Sequence, residues 1–124
     1  LSLTNGGLIT AATLGAGNAG NITIRASDRI FLSGRLANNL SRSAISSEAG
    51  ETSSGRAGAI RILETPLFEI RDNAGLFVTS LGTGKGGDIE VQSGRLLLNQ
   101  GFIAAGTTSA DGGNIRLQVD ALSL

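Results

Sequence analysis

One phrase recurs four times along the chain and limits what the chain can fold into. It reads GNAGNITIRAS at 17–27, GRAGAIRILET at 55–65, GKGGDIEVQSG at 84–94 and DGGNIRLQVD at 111–120. In each copy a glycine stands two residues before an apolar–polar–apolar triplet. The glycines are Gly20, Gly58, Gly87 and Gly113, at successive separations of 38, 29 and 26 residues. The apolar pairs are Ile22 and Ile24, Ile60 and Ile62, Ile89 and Val91, and Ile115 and Leu117. Alternation of period two predicts a strand with one buried face. Units of this length cannot bury their own apolar face, so they must stack on their neighbours.

A second apolar stretch follows each first one: Ile30-Phe31-Leu32, Phe68-Glu69-Ile70, Leu96-Leu97-Leu98 and Leu122-Ser123-Leu124, with Leu1-Ser2-Leu3 opening the chain on the same unit. A third precedes each next glycine. It carries Ile9 and Ala11, then Ile45 and Ser47, then Leu76 and Val78. The last copy leaves two registers open, Phe102 with Ala104 or Ile103 with Ala105. Turn-rich segments such as TNGG, RDNAG and LNQG separate the stretches. No window carries a 3.6-residue period, and Gly and β-branched residues stand where a helix would need strong helix formers. The expected fold is all-β: a right-handed parallel β-helix of about four rungs, each of three short strands stacked about 4.8 Å apart. Residues 1–124 read as one such segment, an internal fragment of a longer repetitive protein.

Register makes this expectation specific. The eight apolar residues of the four triplets form an inward ladder. The residues between them, Thr23, Arg61, Glu90 and Arg116, point outward, which places Glu90 between Arg61 and Arg116. Opposite charges at strand spacing attract by roughly 0.2–1 kcal/mol per pair. Extra residues of the longest repeat fall in SGRLANNLSRSA and SEAGETSSGRAG, expected to bulge from the surface. Pro66 is expected at a corner, where its missing N–H costs little. Strand edges at both ends favour stacking with further copies end to end.

Composition narrows the functional classes. Lys+Arg and Asp+Glu are both 10, so no basic excess supports a nucleic-acid partner. His and Cys are both absent, which removes the commonest general base, the thiol nucleophile and the usual zinc ligands. The only aromatic residues are four Phe, too few for a base-stacking platform. No apolar run reaches the length of a membrane-spanning helix.

The glycine-rich phrases invite three ligand readings. GAGNAG (15–20) matches a dinucleotide-binding fingerprint, but a strand-like segment follows it. No acid lies about 20 residues on, where the chain reads Asn38-Asn39-Leu40. GTGKGGD (82–88) brings Gly and Lys together without the order of a phosphate loop and without a following helix. Calcium is the better candidate, with Asp88 and Asp111 as ligands. Yet the positions equivalent to Asp88 are Asn21, Ala59 and Asn114, and so few carboxylates hold calcium poorly. The plainer reading is a stack of small polar side chains hydrogen-bonding at a corner. The acids are scattered over turns and outward positions, so no catalytic pair is expected and no cofactor is implied.

Three longer phrases, LTNGGLITAATLGAGNAGNITI, IRDNAGLFVTSLGTGKGGDIEV and NQGFIAAGTTSADGGNIRL, resemble the repeat region of filamentous-haemagglutinin-like proteins. These are the large exoproteins of two-partner secretion, in the form common in cyanobacteria, and the resemblance covers essentially the whole chain. It implies a right-handed parallel β-helix, export through an outer-membrane β-barrel partner, and a cell-surface or released location. It implies an adhesin or structural surface fibre whose partners are copies of itself and a surface glycan or cell receptor. No catalytic residue carries over. The alternative is a glycan-binding or glycan-processing β-helix, which needs an aromatic or carboxylate-lined groove. The place for that groove is outside the third strand, around Phe77.

Overall fold

The computed structural model describes residues 1–35, 41–108 and 111–124. Ten strands follow in order: β1 (Ser2–Thr4), β2 (Leu8–Thr13), β3 (Ile22–Arg25), β4 (Arg29–Ser33), β5 (Ala44–Ala49), β6 (Ile60–Arg71), β7 (Gly75–Ser80), β8 (Ile89–Asn99), β9 (Phe102–Thr107) and β10 (Ile115–Ser123). No helix forms among the described residues.

The strands build two parallel sheets. The first has six strands in the order β1-β4-β6-β8-β10, with β3 also paired to β6, and the second runs β2-β5-β7-β9. This corrects the expected β-helix. Among the described residues there are no rungs of three short strands, and no solenoid closes. The cause lies in the first and second stretches of each repeat. They were expected to meet at a corner, but in β6, β8 and β10 they run on as one strand of 12, 11 and 9 residues. Only β3 and β4 are separate, and both still pair with β6.

Pro66 is part of the same correction. It lies inside β6 and not at a corner. The register between β6 and β8 shifts by one residue between Ile62 and Thr65. Glu64 takes a left-handed conformation there, with φ 56°. Such a bulge bends a strand without ending it. Pro66 falls in the part of β6 that pairs with neither β3 nor β4, so its missing N–H removes no bond from those ladders.

The two sheets enclose one core. From the first sheet come Ile30, Leu32, Ile60, Ile62, Phe68, Ile70, Ile89, Val91 and Leu96; from the second come Ile45, Leu76 and Val78. Within the second sheet, Ile9, Ile45, Leu76 and Ile103 share one register, and Ala11, Ser47, Val78 and Ala105 share the next inward one. The open register of the fourth copy is thereby decided. Ile103 and Ala105 pack on the core, whereas Phe102 is 44% exposed.

Turns into the second sheet use left-handed residues: Asn5 and Gly6 after β1, Gly34 after β4, Asp72 and Asn73 after β6, and Gln100 after β8. Asn and Asp tolerate this conformation better than most residues. The two long loops differ from expectation. SEAGETSSGRAG does not simply bulge outward, because Ser53 and Ala57 are buried. Of SGRLANNLSRSA, residues 36–40, including Asn38-Asn39-Leu40, lie outside the described residues.

Candidate functional site

The repeated glycine phrase forms a column at one edge of the first sheet. A Cβ added to Gly58 would meet the carbonyl oxygen of Gly20; one on Gly87 would meet that of Gly58; one on Gly113 would meet that of Gly87. Gly17, Gly55 and Gly84 form a second column of the same kind. None of these glycines has a left-handed φ. They recur because one backbone lies directly on the next and leaves no room for a side chain.

The column uses the groups that a ligand would need. Ala19 N–H donates to the Arg56 carbonyl (2.9 Å), Ala57 N–H to Lys85 (3.1 Å) and Gly86 N–H to Asp111 (3.0 Å). Gly58 N–H donates to Ser47 Oγ at 3.0 Å, and that hydroxyl donates to the Gly20 carbonyl at 3.1 Å. A phosphate loop needs such N–H groups free. GAGNAG leads into strand β3, so no helix N-terminus faces it.

The small polar residues cap the neighbouring copy. Ala59 N–H donates to Asn21 Oδ1 (2.8 Å), Arg56 N–H to Asn18 Oδ1 (3.0 Å) and Asn114 N–H to Asp88 Oδ1 (2.8 Å). The two calcium candidates are therefore used differently. Asp88 binds backbone through its side chain, whereas Asp111 accepts through its backbone carbonyl and is exposed. Among the described residues no group of three acids gathers around either.

Ile22, Ile60, Ile89 and Ile115 share one register, and Ile24, Ile62, Val91 and Leu117 another. Thr23, Arg61, Glu90 and Arg116 are aligned between them. Ile60, Ile62, Ile89 and Val91 are fully or almost fully buried. Ile115 and Leu117, on the outermost strand, remain 45% and 37% exposed. In the charged row Arg61 Nε lies 4.0 Å from Glu90 Oε2, and Arg116 reaches no carboxylate within ion-pair distance among the described residues. Ala59, Arg61, Asp88, Glu90, Asn114 and Arg116 line a hollow of about 220 Å³ on this edge.

A larger groove, about 620 Å³, crosses the outer face of the second sheet. Leu8, Thr10, Ser41, Arg42, Ala44, Ser46, Glu48 and Phe77 line it. Phe77 lies on this face as expected for a residue outside the third strand. Its ring folds back over Gly75, whose missing Cβ leaves the space. The Arg42 guanidinium carbon lies 5.5 Å from the Phe77 ring centroid and 5.3 Å from that of Phe102. Sequence reasoning missed Arg42 and its neighbour Arg35. A signal was present: from Arg29 to Ser47 the chain holds three arginines and no acid.

No family model, no curated protein and no solved structure matches the chain.

Proposed function

We propose that this chain is a structural and adhesive segment of an extracellular or cell-surface fibre, a stack of parallel strands that sets length and presents loops, without catalysis. The observation that carries the reading is the register held across β3, β6, β8 and β10. Side chains, glycine columns and Asx caps all serve to place one strand on the next. The phrase-level resemblance to two-partner-secretion exoproteins supports the surface location and an outer-membrane export partner for the parent protein. The β-helix it implied does not form part of this reading.

β10 carries Ile115, Leu117 and Leu122 exposed, and β3 carries Ile22 and Ile24 with the same alternation. A further strand of this repeat, from the parent protein or from another copy, would extend the ladder by parallel pairing.

Immunogold labelling of intact source cells with antibodies to the loops tests the reading. Label along extracellular filaments or the outer surface is expected. Label confined to the cell interior after permeabilisation overturns it.

A further inference from the structure

Arg42, which lines the outer groove, belongs to an unusual pair. Arg35 and Arg42 face each other across an isolated antiparallel bridge. Residues directly opposite in such a bridge project to the same side, with Cβ atoms roughly 4.5–5.5 Å apart, and like charges there repel. Neither arginine has an ion-pair partner among the described residues. The remaining residues of the chain, 36–40 and 109–110, contain no acid. Arg35 Nε is buried and lacks a hydrogen-bond partner. Leaving a buried charged donor unpaired costs more than the ordinary 1–3 kcal/mol or so of a neutral one. Two paired cations and an unanswered donor make a site whose missing component is an anion.

We propose that Arg35 and Arg42 bind the carboxylate of an acidic saccharide whose remaining, uncharged rings lie along the groove of the second sheet. The Arg42 guanidinium carbon lies within 5.5 Å of the Phe77 and Phe102 ring centroids, which supports this, because a guanidinium over a ring face can keep its N–H edge for a ligand. A guanidinium held in that way suits bidentate binding of a planar carboxylate. The groove volume is far larger than one small anion needs and falls in the range of sites for compact organic ligands. Its walls continue through Ala44, Ser46 and Thr10, small side chains of which the Ser46 hydroxyl donates to the Thr10 hydroxyl at 3.1 Å. Glu48 lies on the same wall, six residues from Arg42 along the chain, or roughly 20 Å at strand rise. That acid disfavours a polyanion of high charge density and selects a ligand charged at one end. The site goes beyond the fibre reading and stands without it.

The test is titration calorimetry on the 124-residue chain. Three ligands are compared: a trisaccharide ending in glucuronic acid, the same trisaccharide with its carboxyl reduced to the alcohol, and sodium acetate. Binding of the acidic trisaccharide alone is expected. Arg42→Ala and Arg35→Gln should each weaken it by about tenfold to a hundredfold. Arg42→Lys should recover only part, because an ammonium cannot form the fork. Unchanged strand circular dichroism checks that each variant folds. Equal binding of the reduced trisaccharide, indifference to Arg42→Ala in a folded variant, or no binding by the wild type would each overturn the proposal. Acetate binding as tightly as the trisaccharide means an adventitious ion only, and also overturns it. The measurement is made in solution, so its failure leaves the surface location untouched.

Discussion

Replacing Gly87 by alanine adds one Cβ where the Gly58 carbonyl already sits. The contact would be well inside the approach that real Cβ atoms show, and its partner is backbone within a paired layer. No flexible side chain is there to swing aside. Two effects oppose each other. Alanine restricts the unfolded chain and so stabilises the fold by about 0.4–1 kcal/mol. Forcing a methyl group into a packed site costs about 1–3 kcal/mol. Gly87 has no left-handed φ, so backbone strain adds nothing. The net expectation is destabilisation of up to about 2.6 kcal/mol, a fall in Tm of as much as several degrees. Gly106 is the internal control: its added Cβ meets nothing within 4 Å, and it too has no left-handed φ. Gly106→Ala should therefore stabilise by about 0.4–1 kcal/mol. The difference between the two variants isolates the crowding effect. Urea unfolding followed by circular dichroism measures it, provided the m-value is unchanged. If Gly87→Ala proved as stable as Gly106→Ala, close approach would not be the reason for the repeated glycines.

Three further outcomes follow from named contacts. Ser47→Ala removes the hydroxyl that accepts from buried Gly58 N–H, so unfolding should show a loss of about 1–3 kcal/mol. Phe68→Ala opens a cavity in the core, where the side chain is fully buried, and should cost about 3–5 kcal/mol in the same assay. Glu90→Gln breaks the long, partly exposed pair with Arg61; because such pairs contribute little, a loss above about 1 kcal/mol would contradict its placement at the surface.

Much of the local order was legible in the residues. The triplets beginning at Ile22, Ile60, Ile89 and Ile115 align strand on strand because a one-residue slip would turn every apolar side chain outward. The turns TNGG, RDNAG and LNQG were legible through Asn, Asp and Gly. Ser47 was legible only as a position: its inward hydroxyl is explained by a glycine N–H 11 residues away in sequence. The groove on the second sheet was marked only by Phe77, because the Arg35–Arg42 bridge depends on how a long loop returns.

The sequence by itself determined period, strand composition and register, since side-chain alternation and hydrophobic burial are local demands that any parallel stack must meet. Tertiary structure decided how many sheets those strands make. Whether a chain turns or runs on between Ile62 and Phe68 depends on a single bulged residue at Glu64 and on neighbours above and below that keep the strand paired. Bending at a bulge preserves most of the ladder's hydrogen bonds, whereas a corner gives them up. That balance turns the expected three-strand rungs into two parallel sheets, and no local pattern of residues displays it.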